Sequence, residues 1–391
     1  MKILEIARQI HDRIPAEKID PANYISTDNM KPWFGGYEPG TTVPSGTLTS
    51  YQTGDILLSN IRPYFRKTWL ATHDGGCNAD VLCIRANESQ CVPEYLYYVF
   101  CTNGFVEDYL KGSKGAKMPR GDINRLLNYE IRLPEKADQL RIAGLLGSLD
   151  EKITICRKKI AELEALAKLV YERWFVEFEF PNADGRPYKS NGGKMVWNET
   201  LKRNVPEGWS VRILPEIADY LFGFPFDSAK FNSNGIGTSI VRIRNVKDGF
   251  TSDFTTEVAP DEYYINNGDF IIGMDGYFDM NLWIGGKAYL VQRSCRVTSK
   301  NPIHQGYLIR ALYLPIKHLE QSLTGATLAH LGKAHLDRIP ILLPPEDVPA
   351  FHLLNEIDAR KIQAGIEIRR LSEFRDWLLP MLMNGQVEVR A

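Results

Sequence analysis

Basic side chains alternate with aromatic rings in residues 59–69, which read SNIRPYFRKTW. Arg62, Arg66 and Lys67 supply positive charge, and Tyr64 lies among them. An arginine fork suits phosphate oxygens and the guanine edge, so this stretch is a candidate for binding nucleic acid. The alternative is an exposed hairpin whose charges merely solvate it, and the residue pattern favours neither interpretation.

A second basic stretch, KGSKGAKMPRGDIN at residues 111–124, mixes positive charge with glycine. Lys114, Lys117 and Arg120 are interspersed with glycines that allow backbone amides to approach phosphates closely. This pattern favours a nucleic-acid contact over an ordinary surface loop.

The second half of the chain carries different side chains at the corresponding places. Residues 273–283, GMDGYFDMNLW, have Asp275 and Asp279 where the first half has arginines, and a solvated turn is the favoured interpretation. The candidate DNA contacts here are Arg242, Arg244, Asn245, Thr324, Thr327, His330 and Lys333. The two halves are therefore expected to contact different base sequences.

Catalytic motifs are absent from the sequence, so no catalytic residue is assigned. It contains no phosphate-binding GxxxxGK(S/T), no HExxH and no GxSxG pattern. His330 and His335 have no acidic residue between them, which favours surface or capping histidines over a metal site. Residues 301–304, NPIH, lack the second proline and the aromatic of an amino-methyltransferase motif. Any chemistry is expected to belong to a partner.

The elements that would position these side chains repeat along the chain. ILEIA at residues 3–7 returns as ILPEIA at 213–218, and GDILL at 54–58 returns as GDFII at 268–272. Further matches follow in the same order at an offset near 210, which predicts two similar globular units. Short strands between glycine- and proline-rich turns predict an α/β or α+β fold for each unit, with strands at residues 55–60, 81–85, 239–244 and 270–273.

A heptad pattern runs through the middle of the chain and predicts one helix over residues 136–178, between Pro134 and Pro181. At about 1.5 Å per residue it would be roughly 60 Å long. An ordinary core helix is the less favoured alternative, because such helices average about three turns. The predicted apolar seam consists of Ile142, Leu146, Leu149, Ile153, Ile160, Leu163 and Val170, with Ile368 and Leu371 in the second copy.

The C-terminal copy of the helix is expected to pack antiparallel against the first, although Lys361 and Arg375 interrupt its seam. Such a spacer would hold two like units apart with approximate twofold symmetry, an arrangement that suits B-DNA half-sites repeating every ~34 Å. Both helices end in more apolar surface than one helix partner covers, which predicts a subunit interface. Its candidate residues are Trp174, Phe175, Trp377 and Leu378.

Composition limits the class of protein. A chain of 391 residues with 44% apolar content can form two or three cores, and its formal net charge of −1 does not indicate a uniformly basic DNA-binding domain. Six cysteines without a CxxC pair predict reduced thiols. Charged Glu5 and Arg8 argue against a signal peptide, and no apolar run is long enough for a membrane span. A cytoplasmic location is expected.

Four segments carry a family resemblance. Residues 133–153 (LPEKADQLRIAGLLGSLDEKI), 157–182, 185–209 (GRPYKSNGGKMVWNETLKRNVPEGW) and 378–389 (LLPMLMNGQVEV) resemble the DNA specificity (S) subunit of type I restriction-modification enzymes. The resemblance covers essentially the whole chain. It implies target recognition domains at residues 1–134 and 206–344, helical spacers at 135–180 and 345–391, and a linker at 181–205.

The same resemblance implies that double-stranded DNA and two methyltransferase (M) subunits are partners, joined by restriction (R) subunits. S-adenosylmethionine, ATP and Mg²⁺ would then bind to those partners, and no cofactor or metal to this chain. Each recognition domain would read half of a bipartite site, whose sequence does not carry over. Two alternatives stay open: a DNA methyltransferase or fused restriction-modification enzyme, and a scaffold with two protein-binding heads.

Overall fold

The computed structural model describes residues 1–111, 119–323 and 329–390. These residues form two compact units: unit 1 comprises Met1–Ile153 and Arg370–Ala391, and unit 2 comprises Thr154–Arg369. Unit 1 is thus assembled from both ends of the chain. None of the helices in the described residues combines the length and apolar character that a membrane span needs.

Unit 1 contains four short helices, eight strands and the start of a long helix. The helices are α1 (Ile3–Ile6), α2 (Pro93–Cys101), α3 (Asn103–Lys111), α4 (Ile123–Asn128) and α5 (Lys136–Tyr171). The strands are β1 (Ala7–Gln9), β2 (Arg13–Pro15), β3 (Tyr24–Ile25), β4 (Thr47–Tyr51), β5 (Ile56–Ser59), β6 (Thr68–Leu70), β7 (Gly75–Cys77) and β8 (Val81–Ala86).

Two sheets form the frame of unit 1. The first is antiparallel in the order β1-β8-β5-β6, and the second has the order β2-β4-β7-β3 with β3 and β7 parallel. Strand β5 reads ILLS and is buried on both of its faces. Ile56 and Leu58 point to the helical core, whereas Leu57 points to a separate cluster with Trp69 and Cys77.

Unit 2 repeats this plan with additional strands. Its helices are α6 (Leu214–Ile217), α7 (Ile243–Val246), α8 (Gln305–Leu323), α9 (Lys333–Leu336) and α10 (Pro349–Met383), the last of which ends in unit 1. The strands are β9 (Met195–Asn198), β10 (Arg203–Pro206), β11 (Ser210–Ile213), β12 (Ala218–Phe222), β13 (Phe231–Asn232), β14 (Thr238–Val241), β15 (Phe254–Thr255), β16 (Tyr264–Ile265), β17 (Phe270–Gly273), β18 (Met280–Leu282), β19 (Ala288–Leu290), β20 (Ser294–Ser299) and β21 (Pro340–Leu343).

The sheet topology confirms the internal repeat. The order β12-β20-β17-β18 in unit 2 matches β1-β8-β5-β6 in unit 1, and all of these neighbours are antiparallel. The parallel pair β14 and β19 likewise matches β3 and β7. Two smaller sheets, β9 with β10 and β11 with β21, complete unit 2.

The sequence-based strand at residues 270–273 is confirmed as β17, but the strand expected at 239–244 was too long. Strand β14 ends at Val241, because the side chain of Asn245 accepts a hydrogen bond from the Arg242 N–H at 2.9 Å. This cap turns the chain into helix α7.

The long central helix is present much as its heptad pattern predicts. Helix α5 is followed by one π-helical turn, Glu172–Val176, in which the Glu177 N–H donates to the Glu172 carbonyl at 2.8 Å. The chain then leaves the helical conformation at Phe178, whose φ is 63°. All nine predicted seam positions are buried or half-buried.

Within each unit, α5 and α10 run antiparallel. In unit 1, Asp150 of α5 pairs with Arg375 of α10 at 2.6 Å, and residues 387–389 lie beside Ile142. In unit 2, Glu164 pairs with Lys361 at 3.1 Å. The two polar interruptions of the predicted seam are therefore the positive partners of interhelical ion pairs.

Buried thiols agree with the expectation of reduced cysteines. All six cysteines lie in the described part of the chain, all are buried, and no disulfide joins them. Burial raises the pKa of the Cys91 and Cys295 thiols to about 12, so both are neutral near pH 7.

Candidate nucleic-acid interface

In each unit, two segments that contain candidate DNA contacts are joined by the same pair of main-chain hydrogen bonds. In unit 1, the Arg62 N–H donates to the Pro119 carbonyl at 2.8 Å, and the Gly121 N–H donates to the Asn60 carbonyl at 3.0 Å. These bonds join the β5–β6 turn to the segment that follows residues 112–118. We call this arrangement the loop frame.

Unit 2 has an equivalent loop frame with different residues. The Gly276 N–H donates to the Ala329 carbonyl at 3.0 Å, and the Leu331 N–H donates to the Met274 carbonyl at 2.7 Å. By this hydrogen-bond correspondence, His330 takes the place of Arg120. The frame is built from main-chain groups, so its side chains can differ without loss of the frame.

The unit 1 loop frame contains backbone conformations that side chains rarely adopt. Arg62 and Arg66 have φ values of 49° and 53° on either side of a single 3₁₀ turn, and Trp33 and Phe34 have 57° and 59°. The Phe65 carbonyl accepts from the Trp33 N–H at 2.9 Å. Each such residue costs about 1–2 kcal/mol, and strain of this kind concentrates at functional sites.

An aromatic patch lies on these strained loops. It consists of Trp33, Tyr64 and Phe65, whose exposed fractions are 62%, 44% and 38%. The Arg66 guanidinium lies 5.0 Å from the Trp33 ring centroid and donates to Asn103 Oδ1 at 2.5 Å. Sequence reasoning identified Tyr64 and Arg66 but missed Trp33, for which the flanking Pro32 and Gly35 were a usable turn signal.

The other predicted DNA contacts of unit 1 differ in whether their side chains are free to bind DNA. Arg62 is exposed and forms no ion pair with another described residue, whereas Arg120 pairs with Asp80 at 2.9 Å on the surface. Lys67 is turned inward, because its Nζ donates to the Thr27 carbonyl at 2.5 Å. Burial lowers the pKa of Lys67, although the nearby carboxylate of Asp28 opposes that shift.

Two other predicted contacts, Lys114 and Lys117, lie outside the described residues, as do Thr324 and Thr327 of unit 2.

In unit 2, the predicted DNA-contacting side chains that follow β14 form contacts within the chain that the sequence does not indicate. Arg244 forms a two-point ion pair with Asp253 at 2.6 and 3.2 Å, and Arg242 lies over the Phe231 ring at 5.2 Å. Asn245 is occupied as the cap of α7. Its role has a counterpart in unit 1, where Asn29 Oδ1 accepts from the Ser26 N–H at 2.7 Å.

The acceptor oxygen of Asn245 serves the main chain, and its contact with DNA stays a prediction. The Arg244 side chain is 60% exposed, so its outer edge is accessible to a binding partner. Arg242 is half-buried and keeps its guanidinium against an aromatic ring.

His330 belongs to a polar cluster that sequence reasoning found only in part. Its Nδ1 lies 2.6 Å from Asp275 Oδ1, and Arg293 Nε lies 3.4 Å from Asp275 Oδ2. Lys333 is less available, because it pairs with Asp337 at 2.9 Å and lies over the Tyr220 ring at 5.6 Å. Arg293 was missed because it precedes β20, far in sequence from the loop that contains His330.

The predicted subunit-interface residues fall into two groups. Phe175 is 2% exposed and stacks against Phe351 at 5.5 Å, and Leu378 is 6% exposed. Both contribute to cores of this chain, so they do not present free apolar surface as expected. Trp377 is 56% exposed and stacks on exposed Phe374 at 5.9 Å, whereas Trp174 is half-buried.

Within residues 1–111, 119–323 and 329–390, no three His, Cys, Asp or Glu side chains cluster in a way that could hold a metal ion.

Comparison with known proteins places this geometry in a family. The Type I restriction modification DNA specificity domain matches residues 17–165 and again residues 206–367. Among similar proteins, the type I restriction enzyme MjaIX specificity subunit of Methanocaldococcus jannaschii is 27% identical over 361 residues, which cover 88% of this chain and 80% of the relative. The HindI specificity subunit of Haemophilus influenzae is 21% identical, covering 88% and 89%.

A solved structure supports the same fold. The crystal structure of the type I restriction-modification system S subunit from M. genitalium aligns with a TM-score of 0.61 over 98% of this chain and 95% of the other, at 16% identity. The two domain matches together span well over half of the sequence, at positions that correspond to the internal repeat. The chain therefore belongs to the type I restriction-modification DNA specificity family.

Proposed function

We propose that this chain is the non-catalytic DNA-binding specificity subunit of a type I restriction-modification complex, with each unit reading one half of a bipartite target. The observation that carries the proposal is the repeated loop frame. Its main-chain hydrogen bonds are equivalent in the two units, while the side chains at equivalent positions differ in charge and hydrogen-bonding character. Such a design suits two readers of different sequences.

Unit 1 offers the basic stretch 111–124, with Lys114, Lys117 and Arg120, together with Arg62 and the aromatic patch. Positive charge of this kind favours phosphate contacts. Unit 2 offers His330 and its cluster, with Arg244 as a secondary contact. The residues that touch DNA are thus proposed to lie mainly on the two loop frames.

Partner subunits complete the proposal. Two M subunits would bind the chain and R subunits would join them, with S-adenosylmethionine, ATP and Mg²⁺ held by those partners. Support for a docking surface comes from the exposed pair Phe374 and Trp377 on α10. We place the contact with an M subunit at this pair, in preference to Phe175 and Leu378.

Methylation mapping tests the function directly. Genomic DNA from cells with and without this gene, but with the same M subunit, should differ by methylation at one bipartite sequence. Absence of such a motif in cells that contain the assembled complex would contradict the proposal. S-adenosylmethionine binding by the purified chain would instead favour a methyltransferase, and DNA affinity that is flat with salt would favour a protein scaffold.

We further propose that α5 and α10 set the distance between the two half-sites. One heptad inserted after Glu164 and another after Arg360 enter at facing positions, because Glu164 pairs with Lys361. Each insertion adds about 10.5 Å of helix and preserves the seam phase. At about 3.4 Å per base pair this corresponds to roughly three base pairs, and to a rotation of around 100°.

The expected result is a target with the same half-sites, a longer unspecified gap and weaker binding, since DNA twist absorbs the rotation only in part. Methylation mapping of the variant gives the gap length. A gap identical to that of the parent, in a folded and active complex, would show that the helices do not set the spacing.

A further inference from the structure

Arg293 lies at the unit 2 loop frame in the position that Asp80 occupies in unit 1. The Met274 N–H donates to the Arg293 carbonyl at 2.9 Å, just as the Asn60 N–H donates to the Asp80 carbonyl at 2.8 Å. Both residues directly precede the equivalent strands β20 and β8. The repeat thus presents an arginine in one unit where it presents a carboxylate in the other.

The Arg293 side chain belongs to a cluster with Asp275 and His330. Asp275 is the central acceptor, at 2.6 Å from His330 Nδ1 and 3.4 Å from Arg293 Nε. The carboxylate is 23% exposed, whereas the Arg293 and His330 side chains are 52% and 48% exposed. The acid therefore lies beneath two polar groups that reach solvent.

Hydrogen-bonding capacity remains on both outer groups. A guanidinium has five N–H donors, and the contact with Asp275 engages only part of them. The short contact with Asp275 places a proton on His330 Nδ1, so a neutral His330 keeps Nε2 as an acceptor. The cluster presents donors from Arg293 next to an acceptor from His330.

The backbone at Arg293 is strained. Its φ is 76°, in the left-handed region that costs a non-glycine residue about 1–2 kcal/mol. Asp80, at the equivalent position of unit 1, has no positive φ. A backbone conformation that would suit glycine is occupied by a large, half-exposed cation, which points to a requirement for the side chain itself.

We propose that Arg293, oriented by Asp275, reads the guanine of a G·C pair in the half-site of unit 2, while His330 Nε2 accepts from N4–H of the paired cytosine. The inference rests on the proposed DNA-binding function. In the major groove, guanine presents O6 and N7 as acceptors and cytosine presents the N4 donor beside them. The donors and acceptor of the cluster match that pattern.

A phosphate is the competing ligand for Arg293. A phosphate diester offers acceptors for the Arg293 donors but no donor for an acceptor on His330. The edge of a G·C pair offers both next to each other. The geometry favours a base over the backbone.

Arg293→Gly in the complete complex is the direct test, because glycine adopts the φ of 76° without strain. Methylation mapping should show that one G·C position in one half-site becomes degenerate while the other half-site is unchanged. Affinity for the parent target should fall roughly 5- to 150-fold. Arg212→Ala is the control, since Arg212 is an exposed arginine of the same unit, paired with Glu216 on another surface.

A DNA probe in which an analogue lacking N7 replaces that guanine adds a second readout. The parent complex should lose affinity on this probe, and the Arg293→Gly complex should bind both probes equally. An unchanged motif in the variant, or a salt slope reduced equally on all sequences, would overturn base reading by Arg293. Failure of the parent complex to methylate any specific motif would instead contradict the proposed function.

Discussion

Units 1 and 2 share a loop frame at the end of β5 and β17 but differ in how they hold the carboxylate that precedes each of these strands. In unit 1, Asp55 is 1% exposed and bonds to Arg85 through two contacts of 2.6 and 2.7 Å. In unit 2, the equivalent Asp269 lies 3.8 Å from Arg296. Both acids accept the same type of turn hydrogen bond, from Gln52 and Asn266.

The two units therefore share the main-chain turn that holds the acid, whereas they do not share its ion pair. Both acids follow a glycine, in GDILL and GDFII. The N–H of that glycine donates to the carbonyl of the residue directly after β6 in unit 1 and directly after β18 in unit 2. The charge partner has diverged in each unit, as have the side chains on the loop frame. The residues that pair with the acid and the side chains on the loop frame therefore vary independently on the same backbone fold.

The largest expected effect on stability comes from removing the charge of Asp55, and it should far exceed that of the same change at Asp269. Asp55→Asn should lower the free energy of unfolding of unit 1 by about 3 kcal/mol, because it removes the two-point charge partner of Arg85 from a largely buried site. Hydrogen exchange of the β5 amides measures the loss. Equal protection in the variant and the parent would show that the pair contributes little.

Asp269→Asn is the matched change, and its effect at pH 7 should be below about 1 kcal/mol or stabilising. Burial raises the pKa of Asp269, although the Asn266 N–H and Arg296 lower it. An acid with a raised folded pKa favours the folded state less as pH rises through that pKa. The parent should therefore lose stability relative to the Asn variant as the pH rises above the ordinary aspartate pKa of about 4. Exchange of the β17 amides measures this loss, and the opposite trend would contradict the raised pKa.

Removing the interhelical ion pair should likewise cost more stability in unit 1 than in unit 2. Arg375→Met is expected to cost about 2–3 kcal/mol, because Arg375 is 16% exposed and Asp150 also accepts from the Tyr98 hydroxyl at 2.8 Å. Lys361→Met should cost less than about 1 kcal/mol, since its partner Glu164 is 59% exposed. Denaturant unfolding compares the two, and equal costs would remove the distinction between the units.

The loop frames should differ in salt dependence. Alanine at Lys114, Lys117 and Arg120 is expected to reduce affinity for all DNA sequences and to flatten the salt slope by up to about one unit per lost phosphate contact. Alanine at Thr324 and Thr327 should leave that slope unchanged, because neither threonine carries charge. Equal salt slopes for all the variants would show that Lys114, Lys117 and Arg120 do not contact DNA.

The smallest expected effect concerns the cysteines, where the units should behave alike. Burial raises the pKa of Cys91 in unit 1 and Cys295 in unit 2 to about 12, so the thiolate is scarce at pH 8. Neither should react with iodoacetamide in the folded protein, and both should react in denaturant. Mass spectrometry of the labelled peptides checks this, and fast labelling of one of them would reveal local opening of its unit.

Sequence periodicity determined the architecture because repetition and helical spacing are local patterns. The offset near 210 predicted two units with the same sheet order, and the heptads predicted α5 to within its final π-helical turn. The polar interruptions at Lys361 and Arg375 could not be explained at that level, since their partners, Glu164 and Asp150, lie about 200 residues away.

Only the tertiary structure decided which candidate side chains are available. Asn245 and Lys67 belong to residue types that bind DNA, yet the fold uses them to satisfy main-chain groups. Arg293 gained a place beside His330 because strand pairing brings β17 and β20 together at the loop frame. Residue type and spacing are properties of the sequence, whereas hydrogen-bond partners and exposure depend on chain segments that meet only after folding.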